Sequence, residues 1–437
     1  MSDFWSLPGG NGEGSWHPND GKKLFRSTAS AETKVEAISR FFAFQMALMK
    51  ERHLLIDATA AGRRLTGLER YTREVTSAIW NLAPERDIRL TVLLGEHAEW
   101  ADGLRLHSKG TVLRCPFRNR LLTDHGWVPS TIAGLRPSHA FFPAFAPSPF
   151  VFFAKTHVMR TIHDVVLWEH RETTSWKNDL YFRPLENFGL FRYQTIITVS
   201  ERSKKDLCRL FPKISSRTVN AGNGLSSYWF ERVPQKLLEE MRVKSSLTGP
   251  FLLFVGTFEP RKNLPFLVRV FKRLLPEFPD LKLVLVGRKG WGYEAVIDVI
   301  TAEDVSDRVI CMHDVSDEVL RGLYQMALLF VYPSLNEGFG LPLPEAMASG
   351  LPIVASPEAA SRDVVGDAAV FCPLNDPVLW VETIADLMRD QERQKQLSEM
   401  GTIQAQSFKW ESVAGKVLDS EFNRGMDFGQ ASAGKSQ

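Results

Sequence analysis

The sequence predicts an α/β protein: two Rossmann-like, doubly wound domains facing a cleft, preceded by an N-terminal extension. Three observations predict it. From His53 onward, short runs of aliphatic and aromatic residues alternate with segments of helical spacing. That is the pattern of parallel strands joined by crossover helices. The alternation breaks in a charged stretch, Pro234 to Gly249, and resumes at Phe251. The length, 437 residues, suits two domains rather than one.

Met1 to about Ala31 is rich in Gly, Ser, Asn and Pro and reads as a flexible tail. VEAISRFFAFQMALMKE follows, an amphipathic helix expected to pack on the body rather than lie on lipid. These make an extension over 1–50. The first domain, 51–245, begins with strand HLLIDA, helix GLERYTREVTSAIWNLA and strand DIRLTVLLG, and later holds strands HVMRTIHD and TIITVS. The second, 246–405, runs through strand FLLFVGT, helix NLPFLVRVFKRLL, strand LKLVLVG, helix YEAVIDVITA, strand RVICM, helix DEVLRGLYQMA, strand LLFVYPS, helix PLPEAMASG and strand PIVAS. Residues 426–437 read as a second flexible tail.

Bulk properties remove several functions. Hydrophobic residues make up 44 % and charged residues 24 %, with a net charge of +2, so no polyanion such as nucleic acid is implied as a partner. Cys115, Cys208, Cys311 and Cys372 have no metal-ligand spacing and read as small apolar residues in a reducing compartment. No membrane-length apolar run occurs, and the longest cluster, Phe41 to Met49, is flanked by Arg40 and Lys50. The first residues lack the basic start and apolar core of a secretion signal. A cytoplasmic location is expected, with peripheral contact to a membrane left open.

Two stretches at strand ends can carry chemistry. Gly256-Thr257-Phe258-Glu259-Pro260-Arg261-Lys262-Asn263 follows a strand and precedes a helix. Arg261 offers a planar fork to phosphate oxygens, Lys262 a compact charge, and Asn263 is placed to cap the helix, whose N-terminus favours anions. The plainer reading is a solvated turn, but the end of a Rossmann strand favours the phosphate reading. In the second stretch a buried strand runs into Leu335-Asn336-Glu337-Gly338-Phe339-Gly340-Leu341. Glycines there admit a ligand close to the backbone, and Pro342 opens a helix that Gly350 closes. Glu337 then sits on a loop and Glu345 in the first helical turn, both expected to face one crevice. Carboxylates can accept paired sugar hydroxyls, and the amides near Phe339, Gly340 and Leu341 can hold an anion. Glu345 could simply complement the helix dipole, which would leave Glu337 and the Gly-Phe-Gly turn unexplained.

Glu337-Gly338-Phe339-Gly340-Leu341-Pro342 with Glu345-Ala346-Met347-Ala348-Ser349-Gly350 resembles the glutamate-x7-glutamate signature of retaining nucleotide-sugar glycosyltransferases of family four, which have the GT-B fold. Gly-Thr-x-Glu-Pro-Arg-Lys-Asn is similar to that family's diphosphate loop. The resemblance runs roughly from His53 to Phe422 and is looser in the first half. It implies that Glu345 holds the ribose, that Glu337 with the amides near Phe339 and Gly340 holds the donor sugar, and that Arg261 and Lys262 neutralise the departing diphosphate. Thr257 stands where some members carry a further arginine. His163, in Thr161-Ile162-His163-Asp164, is implied beside the donor sugar. Gly67-Leu68-Glu69-Arg70-Tyr71 resembles the family's Gly-x-Gly-Arg-Tyr turn, with Glu69 in place of the second glycine, and leaves Gly67 as a phosphate- or acceptor-side contact. Val199-Ser200-Glu201-Arg202-Ser203 reads as an architectural capped helix start. Phe408, Trp410 and the helix up to Phe422 resemble the segment, here 406–425, that crosses back to the first domain.

No Asp-x-Asp motif is present, which agrees with a metal-independent site and no cofactor. Arg114, Arg118 and Arg120 near Phe117, Leu121 and Leu122 are expected as either a solvated loop or a membrane-facing basic patch. The expected activity is transfer of a hexose, with retention, from a nucleotide-diphosphate sugar to a glycan or lipid-linked acceptor. GDP-mannose is the expected donor, on the likeness of Glu-Pro-Arg-Lys-Asn to mannosyl- and rhamnosyltransferases of bacterial polysaccharide assembly. A nucleotide-sugar epimerase of the same fold and a non-catalytic nucleotide-sugar binding subunit are the alternatives. A dinucleotide oxidoreductase is disfavoured, because Gly222-Asn223-Gly224 lacks the third glycine of the fingerprint.

Overall fold

The computed structural model describes residues 52–62, 67–104, 107–169, 178–245, 247–358 and 362–422. The amphipathic segment ending at Glu51 and both predicted tails lie outside them.

The first sheet has seven strands: β1 (His53–Ala58), β2 (Arg89–Leu94), β3 (Gly110–Arg114), β4 (His139–Phe142), β5 (His157–Ile162), β6 (Thr195–Thr198) and β7 (Thr218–Asn220). Their order is β3-β2-β1-β4-β5-β6-β7 and every pairing is parallel. The helices of this domain include α1 (Gly67–Leu82), α2 (Val128–Leu135), α3 (Arg183–Leu190) and α4 (Glu201–Leu210). In chain order α5 (Gln235–Lys244) follows β7 and precedes the second sheet.

The second sheet, also parallel, orders its strands β10-β9-β8-β11-β12-β13. They are β8 (Phe251–Val255), β9 (Lys282–Val286), β10 (Val309–Met312), β11 (Leu329–Tyr332), β12 (Ile353–Ala355) and β13 (Ala369–Phe371). Its helices are α6 (Leu264–Leu274), α7 (Tyr293–Ala302), α8 (Asp317–Met326), α9 (Pro342–Ala348), α10 (Pro377–Arg389) and α11 (Gln391–Ala405); α12 (Trp410–Phe422) follows.

Local chemistry explains these elements. β8 buries all of its residues, as a strand covered on both faces must. α6 buries Leu264, Leu267, Val268, Phe271 and Leu274, one stripe of helical period. Ser200 and Ser316 cap α4 and α8 by accepting from Ser203 N and Val319 N. The short strands β3, β4, β7 and β13 were not read from the sequence, nor were α2, α3, α5, α10 and α11. β4 is only HAFF, set between Pro137 and Pro143, too brief to show a period.

The charged stretch between the two series of strands is largely helical, and residues 247–250 at its end are not. α5 packs on α8, where a Cβ on Gly322 would stand 2.4 Å from Met241 Cε. The chain then returns to the first domain: α12 lies along α1 and buries Trp410, Val413, Ala414, Val417 and Leu418. Trp410 lies flat against Gly224, leaving no room for a Cβ, and Leu225 N donates to Phe408 O at 2.9 Å.

Strand order reverses between β1 and β4 and again between β8 and β11. Ligands of doubly wound sheets bind in the crevices at the carboxyl ends of strands at such points. β8 and β11 are the strands that lead into the two motif stretches.

Candidate active site

The turn after β8 and the loop after β11 meet over one carboxylate. Glu337 Oε2 accepts from Arg261 Nη1 at 2.8 Å, and Oε1 accepts from Tyr332 OH at 3.0 Å and from Lys262 Nζ. Lys262 Nζ also donates to Tyr332 OH at 2.9 Å, and Arg261 Nε to Glu259 Oε2 at 2.8 Å. Leu335 N donates to Arg261 O at 2.7 Å and ties the two loops together. Burial alone would raise the Glu337 pKa, but Arg261 and Lys262 overcome it and hold the carboxyl at about 2. Burial, helped by Arg261, lowers the Lys262 pKa; that of Arg261 is raised because Glu337 and Glu259 outweigh its desolvation.

Lys262 is only 5 % exposed and lies against Glu337. A Cβ on Gly256 would come 3.4 Å from Lys262 Cε, so the glycine leaves space for the lysine stem. Asn263 does not cap α6 through its side chain; it turns the backbone through the left-handed region at φ 55°, which asparagine tolerates.

Glu345 lies in a second network. It is 3 % exposed in the first turn of α9, accepts from Tyr324 OH at 3.0 Å, and accepts from Arg70 of α1. Arg70 also reaches Asp317 Oδ1 at 2.8 Å and lies 5.0 Å from the Trp229 ring centroid. Burial raises the Glu345 pKa against the opposing pull of Arg70 and Tyr324. Arg70, Tyr228, Trp229, Leu341, Glu345 and Trp410 line a cavity at this point. The two glutamates thus flank the turn between β11 and α9 in separate networks, Glu337 with Arg261 and Lys262 and Glu345 with Arg70. Arg70 was visible in the sequence only as part of a turn motif; its partner is 275 positions away.

The first domain supplies the facing wall. His163 follows β5, and its Nε2 lies 2.8 Å from Pro143 O. A carbonyl only accepts, so Nε2 carries the proton and Nδ1 is the free acceptor. Burial lowers its pKa to about 4, and the neutral ring stands edge-on to Tyr71 at 4.7 Å. Asp164 beside it is raised by burial, although Arg261 pulls the other way from across the cleft. Gly338 sits against this wall: a Cβ there would fall 2.1 Å from His163 O. Ser200 Oγ lies 2.5 Å and Ser203 Oγ 3.0 Å from Gly338 O, so the capped helix start, expected as architecture, also grips the opposite domain.

The remaining candidates fall in the same place. Gly340 has φ 76°, which needs glycine. A Cβ on Gly67, at the start of α1, would lie 3.5 Å from Leu341 Cδ1. Phe339 turns its ring to Phe408 at 5.5 Å, which leaves only its backbone for a ligand. Among the described residues, the amides of Gly338, Phe339, Gly340 and Leu341 donate to no other group.

The basic patch is compensated: Arg114 pairs with Asp102 at 2.6 Å, Arg118 with Glu96 at 2.7 Å and Arg120 with Asp124 at 2.9 Å. Phe117, Leu121, Leu122, Phe150 and Phe153 are exposed in the same domain. No helix among the described residues is long and apolar enough to cross a membrane.

The strand ends thus carry two acceptor carboxylates, the two cations paired with Glu337, amides that are unpaired among the described residues, and a neutral imidazole on the facing wall. Residues 238–404 match the family described as "Glycosyl transferases group 1". The chain is 27% identical over 369 residues to "O-antigen chain mannosyltransferase B" of Escherichia coli, covering 82% of this chain and 96% of that one. In fold it is similar to Anabaena Alr3699/HepE in complex with UDP and glucose, with TM-score 0.64, 16% identity, and coverage of 85% of this chain and 100% of the other. It is also similar to WaaG, a glycosyltransferase involved in lipopolysaccharide biosynthesis, with TM-score 0.62, 16% identity, and 84% and 98% of the two chains covered.

Proposed function

We propose that this group 1 glycosyltransferase of GT-B fold moves mannose from GDP-mannose to a hydroxyl of a glycan or lipid-linked acceptor, with retention at the anomeric carbon. The observation that carries the reading is Glu337 held between Arg261 and Lys262 at the β8/β11 switch point, opposite neutral His163. The sugar identity rests on mannosyltransferase relatives rather than on a contact.

The residues divide the work by chemistry. Glu345 accepts from the ribose hydroxyls, which compete with Arg70 for its oxygens. Glu337 and the amides of Phe339 and Gly340 orient the hexose, and His163 Nδ1 accepts from a sugar hydroxyl. When the bond between the anomeric carbon and phosphate oxygen breaks, negative charge grows on the diphosphate. Arg261, Lys262, the backbone at Gly256 and the start of α1 at Gly67 meet that charge. The acceptor oxygen bonds to the anomeric carbon on the face the phosphate leaves, and the leaving phosphate takes the acceptor's proton. Side-chain cations then serve where other transferases use a metal ion. If the acceptor is lipid-linked, Phe117, Leu121, Leu122, Phe150 and Phe153 give the first domain an apolar face for the membrane, while its arginines are already paired.

A thermal-shift titration with GDP, UDP, dTDP and ADP, then with their sugars, tests the reading, because a ligand of the native state raises the melting temperature with its affinity. A selective GDP response is expected. A selective UDP or dTDP response replaces the donor and keeps the chemistry. Release of free nucleotide only in the presence of acceptor separates transfer from epimerisation.

A further inference from the structure

At the opposite end of the first sheet from the cleft, three ligand-type side chains converge from distant parts of the chain. His139 opens β4, His157 opens β5, and the two are register partners on neighbouring strands. Glu421 reaches them from the last turn of α12. Its Oε2 lies 3.5 Å from His139 Nε2 and 3.8 Å from His157 Nδ1, and one ligand atom from each of the three falls within 4.8 Å of the others. We propose that His139, His157 and Glu421 bind a divalent transition-metal ion of the zinc class, which clips α12 to the sheet.

The hydrogen-bond pattern behind the cluster carries the argument. Ser138 Oγ donates to His53 O at 2.9 Å and accepts from His53 N at 3.0 Å. His139 Nδ1 lies 2.9 Å from the same oxygen. With the Ser138 proton given to His53 O, His139 Nδ1 donates to Ser138 Oγ and the ring's lone pair falls on Nε2, on the side of the Glu421 carboxylate. A divalent cation placed there is met by both the ring nitrogen and the carboxylate oxygen, and a ring nitrogen oriented from behind by a hydrogen bond is the usual setting of a metal-bound histidine.

The rest of the cluster suits that ion. Two imidazoles and one carboxylate are a recurrent zinc donor set, with solvent completing the coordination. Bonds of about 2.0–2.1 Å in a tetrahedron put donor atoms roughly 3.3 Å apart, so the two distances to Glu421 need to close by only a few tenths of an ångström, and the exposed His157 ring has room to turn its nitrogen in from within 4.8 Å of the others. The Glu421 side chain is 6 % exposed and its other oxygen accepts from Thr195 Oγ1, which fixes the carboxylate, whereas His157 is 60 % exposed and leaves an entry path. The site lies at the amino ends of the strands, away from Lys262 and Glu337, so its role is in holding α12 rather than in transfer.

The test uses the full chain, chelator-treated and free of any histidine tag, titrated with Co²⁺ by its visible d–d absorption and with Zn²⁺ by thermal melting. One Co²⁺ per chain is expected, with a melting temperature raised by about 3 °C or more at a hundredfold excess of Zn²⁺ over its dissociation constant. Both responses should vanish in His157→Ala, whose exposed ring leaves folding intact, and in Glu421→Gln. A melting temperature indifferent to metal in a chain that still folds, which is the outcome of a plain protonated-histidine ion pair, overturns the proposal. So does a Co²⁺ signal that survives both substitutions.

Discussion

Lys262→Met separates a residue kept for chemistry from one kept for the fold. Methionine replaces the lysine stem without leaving a hole, so the change removes mainly the charge. Two opposing effects then set stability. The depression of the Glu337 pKa from 4.5 to about 2 is worth about 3 kcal/mol, and it is shared by Arg261 and Lys262. One cation's share is roughly 1–2 kcal/mol, which the variant loses. Against it, burial lowers the Lys262 pKa, so an unfavourable desolvation disappears with the ammonium. The net change should stay within about 1 kcal/mol and move the melting temperature by only a few degrees. Turnover should fall about 10²–10³-fold, because a preorganised donor to the leaving phosphate is gone. There is also a pH signature. A carboxylate with a depressed folded pKa stabilises above its unfolded value, near 4.5, and loses that contribution as pH falls toward about 2. With Lys262 gone the folded pKa rises, so acid unfolding should begin at higher pH. Nucleotide release under saturating donor and acceptor measures the rate, and circular dichroism melts at several pH values measure the rest. Unchanged turnover, or early melting with normal activity in the folded fraction, would refute the assignment.

Glu345→Gln should weaken binding of the bare nucleotide about 10- to 100-fold in a calorimetric titration, since the ribose loses a charged acceptor; equal affinity removes that role. Arg70→Met should raise the Glu345 pKa further, because the opposing cation is lost. Nucleotide affinity should then fall off at a higher pH than in the wild type when titrated across the acid range, and coincident curves would argue against the pairing. Gly338→Ala places a methyl where His163 O stands, so it should wedge the domains apart and cut transfer more than 10²-fold while leaving each sheet folded; full activity would mean the contact is dispensable.

What the sequence disclosed and what it hid differ by range. α7 was read at its observed limits, because YEAVIDVITA carries its own period. Glu337, Arg261 and Lys262 were singled out from local motifs, yet not their mutual pairing, since that depends on β8 and β11 being neighbours across the strand-order reversal. Arg70 had no local spacing to announce Glu345. Asn263 looked like a cap because asparagine caps helices, and the same short amide side chain also suits the left-handed turn it adopts. β4, four residues between prolines, escaped, and with it the alignment of His139 beside His157.

The return of α12 to α1 bears on how the protein is made. The groove that receives Trp410, Val413, Ala414, Val417 and Leu418 belongs to a domain translated long before those residues exist. With roughly 330 residues between the two helices, a ribosome adding about 5–20 residues per second leaves the groove bare for some 20–60 s. During that interval the apolar side of α1 is an adhesive surface on a growing chain. The first domain is thus the earlier to start folding and the later to finish, and chaperone dependence should track the arrival of α12 rather than the completion of β7.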